Sequence, residues 1–211
     1  LGYFKPGLPL TPGELDEWGI WFDEERFTRP YIRGHFLHDF FGEFEDEVRR
    51  TYLNEIDFGV FELKEDFNTQ RKIYDHFTPY GQTSDIDGKT LVIRDGLMGL
   101  LNEVLFIKDP YARPEAFHPR IAFHFTYAYR ELDPATKDRL NDLYIHYFYR
   151  RHDEFWKYHA LNKLPAIVEA SDMLVCGEDL GMVPEGVSEV MSRLNILSLE
   201  VQRMPKNPKV E

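Results

Sequence analysis

A strand, a helix and a second strand are predicted in close succession near the end of the chain. The first strand is a short apolar run from Met173 to Cys176, which Gly177 ends. Pro184 then opens an amphipathic helix, and the alternating segment Ile196–Arg203 is the second strand. Two strands joined in this way lie parallel with a right-handed crossover, and they cannot bury their sheet alone. The pattern predicts an α/β fold with a larger parallel sheet or barrel.

The rest of the chain is predicted to be mainly helical. Thr11 and Glu14 form a capping box around Pro12, after an opening segment, Leu1 to Pro12, that reads as an extended loop. Asp133-Pro134 starts the strongest helix, which extends to about Asn162. The other expectations are helices at about Arg33–Phe41, Glu45–Asn54, Thr69–Phe77 and Asp87–Val104, a short helix opened by Pro165, a short strand within Phe58–Leu63, and irregular structure with short extended pieces over Leu105–Tyr129.

Composition excludes several classes of function. The 211 residues carry 25 Lys+Arg against 37 Asp+Glu, so the formal net charge is −12, and no basic tract offsets it. Nucleic acid and anionic membrane surfaces are therefore not expected as partners. No apolar run approaches the roughly 18 residues of a membrane span. Cys176 is the only cysteine, which favours a reducing compartment and a cytoplasmic location.

Aromatic residues make up 15% of the chain. Such rings can stack on the apolar faces of sugars while polar atoms serve the hydroxyl groups, which is compatible with carbohydrate binding. A helical core filled with large side chains accounts for the same composition.

Two groups of polar residues are expected at the carboxyl ends of the predicted strands, which form the functional edge of parallel α/β folds. Glu178 and Asp179 follow the first strand, and Gln202 and Arg203 end the second. Because side chains alternate along a strand, Glu178 would project from a mostly apolar strand end, where partial desolvation favours a general acid. The alternative is that Glu178 and Asp179 only cap the following turn.

Other candidate sites have weaker support. Cys176 is expected to be a small core residue rather than a nucleophile. The histidines are too scattered for a zinc site, and His35 and His38, three residues apart, lack an acidic partner at ligand spacing. No nucleotide-binding glycine motif is present, so neither a metal nor another cofactor is predicted.

Three stretches together resemble the 4-alpha-glucanotransferases of glycoside hydrolase family 77, also called amylomaltases or disproportionating enzymes. These are Cys176 to Gly181, Val183 to Val187, and Gln202 to Pro205. The nearer likeness is to the branch that includes the plant cytosolic disproportionating enzyme. It extends to Ile20-Trp21, Arg29 to Ile32, Leu105 to Pro110 and Leu161 to Asp172, and so to most of the chain.

The resemblance implies a fold, a reaction and roles for residues. The fold would be a fragment of a (β/α)8 TIM barrel, with a mainly helical insertion over residues 1–130 and a partial barrel over 131–211. The family is retaining and transfers α-1,4-glucosyl units through an aspartate nucleophile. Glu178 matches its general acid/base, and Asp179, Gln202 and Arg203 are assigned to substrate binding.

The family's nucleophile is expected in an Arg-Ile-Asp-His motif, which this sequence lacks, and its His-Asp motif with a third carboxylate is also missing. We therefore interpret the chain as a piece of a longer enzyme that is inactive by itself. Its partners would be maltose, maltodextrins or related α-glucans, and the remainder of the parent chain. Two alternatives remain, a non-catalytic carbohydrate-binding or scaffolding domain and a related retaining α-glucan hydrolase.

Overall fold

The computed structural model describes residues 8–78, 87–178 and 183–199. The helices are α1 (Pro12–Glu17), α2 (Glu24–Thr28), α3 (Leu37–Phe41), α4 (Glu45–Tyr52), α5 (Gln70–Phe77), α6 (Gly88–Leu101), α7 (Tyr127–Arg130), α8 (Pro134–His146), α9 (Asp153–Glu169) and α10 (Glu185–Arg193). The strands are β1 (Ile32–Arg33), β2 (Leu53–Asp57), β3 (Val60–Leu63), β4 (Phe106–Lys108), β5 (Phe117–Pro119), β6 (Cys176–Gly177) and β7 (Leu197–Ser198). None of these helices combines the length and apolar composition that crossing a bilayer requires.

Contacts between Cα atoms divide the chain into two units. Of the described residues, unit 1 holds 9–78 and 87–140, and unit 2 holds Leu8, 141–178 and 183–199. The boundary falls within α8. The division of the chain at residue 130 into a helical insertion and a partial barrel stays a prediction.

The predicted helix starts are confirmed where short polar side chains cap the first turn. Thr11 Oγ1 accepts the Glu14 N–H at 3.3 Å, and a Glu14 carboxylate oxygen accepts the Thr11 N–H at 2.9 Å. Asp87 Oδ1 accepts the Thr90 N–H at the start of α6, and Asp133 Oδ1 accepts an N–H in the first turn of α8. These bonds satisfy amides that have no acceptor inside the helix.

Unit 1 is built around an aromatic core. Helices α3 to α6 enclose it together with an antiparallel sheet in the order β1-β3-β2. Helix α6 approaches α3 closely at Gly96, where an added Cβ atom would collide with the Phe41 ring. The buried side chains of this core include Ile32, Phe36, Leu37, Phe41, Val48, Leu53, Phe61, Ile73, Ile93, Leu97 and Leu100.

Helix α4 ends earlier than predicted, because Leu53 to Asp57 forms a strand that the sequence analysis missed. Gly59 has a φ of +67°, and it lets the chain turn back so that Leu53 pairs with Leu63. The hairpin buries Leu53 and Phe61 against the core, and this burial outweighs the helical pattern of the preceding residues. The expected strand within Phe58–Leu63 is found as β3.

The long helix predicted from Asp133 is divided by a π-helical turn, Tyr147–Arg151. At this turn the His152 ring nitrogen Nδ1 lies 2.8 Å from the Tyr147 carbonyl oxygen and competes for a main-chain acceptor. Pro165 lies inside α9, so the prediction that it opens a new helix was wrong. A proline removes one helical hydrogen bond, that to the Leu161 carbonyl, and the other bonds of the 17-residue helix hold the segment together.

Unit 2 contains the predicted βαβ arrangement, with strands that differ in length from the prediction. β6 begins at Cys176 instead of Met173, and β7 is Leu197–Ser198, while residues 200–203 of the predicted second strand lie outside the described residues. Strands β6 and β7 pair in parallel, with Cys176 opposite Leu197 and Gly177 opposite Ser198, and α10 connects them. Asn195 ends this connection with a φ of +54°, as an asparagine can. In the described part of the chain, mixed helices and small sheets are present and no closed barrel forms.

The prediction that the first strand is buried was wrong. Cys176 is exposed, and the side chains of Met173 and Leu174 are 76% and 71% exposed. The physical reason is that β6 has one partner strand among the described residues, so that one edge and one face of this sheet lack a covering layer.

Candidate functional site

The position of Glu178 is set by the strand that precedes it. Glu178 directly follows β6, at the carboxyl end of the parallel pair, and its side chain is exposed. The structure therefore supports the predicted position at a strand end, whereas the expected partial desolvation is not observed. Asp179, Gln202 and Arg203 lie outside the described residues, so the placement of these three side chains beside Glu178 stays a prediction.

Gly177 brings the strand close to the helix that follows it. A Cβ atom at Gly177 would lie 3.1 Å from Cε of Met191 and 3.3 Å from Cγ2 of Ile196. Both distances are tighter than ordinary carbon contacts, so a side chain at Gly177 would require the side chains of Met191 and Ile196 to shift by a few tenths of an ångström. The absence of a side chain at Gly177 thus allows the strand end to lie close to the Met191 side chain of α10.

The N-terminus of α10 is held by a side chain from α9. Pro184 precedes the helix and provides no side-chain cap, and instead Asp153 Oδ1 accepts the Gly186 N–H at 2.8 Å. A carboxylate is favourable here because the first amides of a helix have no acceptor inside the helix and carry partial positive charge. This contact therefore fixes the start of α10, the helix that comes after Glu178 in the chain.

An ion pair adds a second connection between α9 and α10. Lys157 Nζ lies 2.8 Å from Glu189 Oε2 and 3.5 Å from Glu154 Oε1. The hydrogen bond to Glu189 is the main cause that raises the pKa of Lys157, and the same bond lowers the pKa of Glu189. Both groups are solvent-accessible, so the pair orients the two helices more than it stabilises them.

His35, His38 and His118 each lie beside a carboxylate. Among the described residues, no group of three His, Cys, Asp or Glu side chains is arranged to hold a metal ion. His118 Nε2 lies 2.9 Å from Asp109 Oδ2, with both side chains buried. His35 Nε2 lies 2.6 Å from Glu131 Oε1.

Unit 1 also contains a cavity of about 480 Å³ that the sequence analysis did not anticipate. The guanidinium carbons of Arg26 and Arg33 lie 3.7 Å and 4.0 Å from the centre of the Tyr31 ring, and the Tyr31 hydroxyl donates a 2.6 Å hydrogen bond to Glu131. Burial, followed by the bond to Glu131, raises the pKa of Tyr31. Since Glu131 is 100 residues away along the chain, no local motif could have revealed this cluster.

Comparisons with known proteins identify a family and a relative that the chain resembles. Residues 58–211 match the family model described as 4-alpha-glucanotransferase, of glycoside hydrolase family 77. Over its whole length of 211 residues the chain is 37% identical to a protein named 4-alpha-glucanotransferase DPE2 from Oryza sativa subsp. japonica. The chain spans 22% of the length of that relative. No solved structure matches the chain.

Proposed function

The chain belongs to the 4-alpha-glucanotransferase family, glycoside hydrolase family 77, and we propose that it forms part of an enzyme that transfers α-1,4-glucosyl units from maltose or maltodextrins to acceptor glucans. One observation carries this proposal. Glu178 lies at the carboxyl end of a strand in a parallel βαβ unit, within the residues that match the family. In (β/α)8 enzymes this is where catalytic side chains are found.

Glu178 is the general acid/base in this proposal. In the first half-reaction its carboxyl group protonates the glycosidic oxygen as the bond from the anomeric carbon to that oxygen breaks, and an aspartate captures the glucosyl unit. In the second half-reaction the Glu178 carboxylate takes the proton of the acceptor hydroxyl while the new glycosidic bond replaces the bond to the aspartate. The exposed position of Glu178 supports access by sugar substrates.

The nucleophile belongs to another part of the parent protein. A retaining mechanism needs two carboxyl groups about 5–5.5 Å apart. The sequence contains no Arg-Ile-Asp-His motif, so we expect this 211-residue chain to be inactive alone. Asp179, Gln202 and Arg203 bind the sugar hydroxyl groups next to Glu178 in this proposal.

Strands β6 and β7 are two neighbouring strands of a (β/α)8 barrel in this proposal, and α10 packs on its outside. The exposed apolar side chains of Met173, Leu174, Leu197 and Leu199 support this arrangement. Strands of a parallel sheet are apolar on both faces because helices or other strands cover both. A cytoplasmic location, proposed from the single cysteine, completes this account.

A carbohydrate-binding module without catalysis is the second candidate, and a retaining hydrolase is the third. The full-length parent protein incubated with pure maltotriose distinguishes the three. Transfer of a glucosyl unit gives maltose together with maltotetraose and longer products, whereas hydrolysis gives glucose and maltose only. Unchanged maltotriose, with glucan binding retained, would contradict the enzyme assignment and favour the binding module.

A further inference from the structure

Unit 1 has a second, solvent-open cavity of about 400 Å³ that lies between α3, α6 and the segment leading into α7. Its volume is within the range of about 300–1,000 Å³ that small-ligand sites occupy. Its lining combines two aromatic rings with carboxylate, amide and guanidinium groups. The rings are Phe125 and Tyr127, and the polar groups belong to Asp39, Asn102, Arg120 and Arg130.

Phe125 is a large aromatic side chain at this cavity with most of its surface in solvent. It is 77% exposed, although its main chain is held in a tight turn. The Phe125 N–H donates to the Ala122 carbonyl, and the buried Thr126 hydroxyl donates to the Phe123 carbonyl at 2.6 Å. Because the main chain at Phe125 is already ordered, covering the ring with a ligand costs little further backbone freedom.

The polar groups of the cavity are already oriented by contacts of their own. The Tyr127 hydroxyl donates to Asp39 Oδ2, and the Tyr127 ring stacks on Phe36 with centres 4.2 Å apart. Asn102 Nδ2 donates to the Met98 carbonyl at 2.8 Å, and Arg120 donates to the Asn102 carbonyl. A carboxylate, an amide and a guanidinium each have hydrogen-bonding capacity beyond these single bonds.

The charges of the cavity balance. Asp39 and Glu103 supply two carboxyl groups, and Arg120 and Arg130 supply two guanidinium groups. A lining without a net charge favours a neutral ligand that both donates and accepts hydrogen bonds, rather than an anion or a cation. Sugar hydroxyl groups meet this requirement, and the apolar face of a sugar ring fits an exposed phenyl ring.

We propose that this cavity of unit 1, with Phe125 as its stacking platform, binds a segment of an α-glucan chain. The identity of the ligand rests on the proposed function, whereas the existence of the site rests on the cavity and its lining. The site would hold part of a long glucan in addition to the segment that reacts at Glu178. It would therefore increase the affinity for polymers through a second attachment point.

The test is the affinity of the full-length parent protein for glycogen, measured by affinity electrophoresis. The Glu178→Gln background prevents turnover during the measurement. In this background we expect Phe125→Ala to weaken glycogen binding about tenfold, which corresponds to 1.4 kcal/mol. Phe125→Tyr retains the ring and should restore affinity close to that of the parent background.

Phe58→Ala is the matched control. Phe58 is also in unit 1 and 99% exposed, but it does not line this cavity, so its removal should leave glycogen binding unchanged. Equal affinity of the Phe125→Ala and Phe58→Ala proteins would overturn the proposed site. The enzyme proposal is judged separately by maltotriose disproportionation. If the parent protein lacks that activity but Phe125→Ala still weakens its glycogen binding, the enzyme proposal fails and the proposed binding site stands.

Discussion

A Cβ atom at Gly186 would lie 2.7 Å from Oδ1 of Asp153, the same oxygen that accepts the Gly186 N–H at 2.8 Å. Asp153 therefore caps α10 from outside the helix, and this cap leaves no space for a side chain at the second helical position. The contact connects the start of α9 to the helix that follows the Glu178 segment. The position of that helix depends on a glycine and a carboxylate 33 residues apart.

Replacing Gly186 by alanine should displace the Asp153 carboxylate and destabilise unit 2 by about 1–3 kcal/mol, the usual cost of overpacking together with a lost cap. Urea unfolding of the 211-residue chain measures the change. Gly13→Ala is the matched control, because Gly13 is also the second residue of its helix and an added Cβ would approach nothing closer than Thr11 Oγ1 at 4.0 Å. The control should be neutral or slightly stabilising, and equal losses for both variants would contradict the capping role of Asp153.

The buried pair of Asp109 and His118 should contribute far more to stability than an exposed pair. Both side chains are 7% exposed, and Asp109 also accepts the Tyr111 N–H at 2.8 Å. Asp109→Ala leaves a buried imidazole and an amide without this acceptor, and we expect a loss of about 1–3 kcal/mol in the free energy of unfolding for each of the two groups. Asp75→Ala, which breaks the exposed pair with Arg71, should cost no more than about 1 kcal/mol. Similar losses in chemical denaturation would show that burial does not govern these pairs.

Glu103 should make stability depend on pH. Burial raises the pKa of its carboxyl group above the ordinary value of 4.5, while main-chain N–H groups of Ala128 and Tyr127 act in the opposite direction. The folded chain therefore holds this proton more tightly than the unfolded chain, so the free energy of unfolding decreases as the pH rises from about 4.5 through the folded-state pKa. Above that window the contribution is constant.

Glu103→Gln removes this titration and keeps an oxygen that can accept the Ala128 N–H. Its stability relative to the unmodified chain should accordingly increase across the same pH window, as measured by urea unfolding at a series of pH values. Glu103→Ala removes the acceptor as well and should be destabilising at every pH, by about 1–3 kcal/mol. A Glu103→Gln difference that does not vary with pH would contradict the desolvation of this carboxyl group.

The parent enzyme should need neither a metal ion nor a nucleotide. Transfer between sugars conserves the glycosidic bond energy, and two carboxyl groups perform the proton transfer and the nucleophilic attack. Treatment of the full-length protein with a chelator should leave maltotriose disproportionation unchanged. Loss of activity that one divalent ion restores would count against the proposed mechanism.

Local signals correctly predicted the capped starts of α1, α6 and α8 and the βαβ arrangement. Thr11, Asp87 and Asp133 cap their helices through bonds to residues three positions away, so the sequence itself contains both partners. The parallel pairing of β6 and β7 follows from the length of the helical connection between them.

Features that depend on distant residues were missed or predicted wrongly. The strand at Leu53 forms because Leu63 returns to it across Gly59, and the Tyr31 hydroxyl meets Glu131 from 100 positions away. Cys176 has an apolar neighbourhood in the sequence, but burial depends on the layers around a strand, and the described residues provide few of them. The position of Glu178 and its suitability as a general acid were predicted from the strand pattern, whereas its assignment as the acid/base of glucosyl transfer came from family resemblance.

The acid/base role of Glu178 is tested most directly by Glu178→Gln in the full-length parent, assayed with maltotriose and with α-glucosyl fluoride. Glutamine keeps the shape of the side chain and removes the transferable proton, so we expect maltotriose disproportionation to fall by roughly 10²–10⁴-fold. Fluoride departs with little acid assistance, so the first step with α-glucosyl fluoride should be far less affected. Asp179→Asn should cost less than Glu178→Gln, because Asp179 is assigned to binding sugar hydroxyl groups and not to proton transfer. Nearly normal disproportionation of maltotriose by the Glu178→Gln protein, or a larger loss from Asp179→Asn, would contradict the assignment.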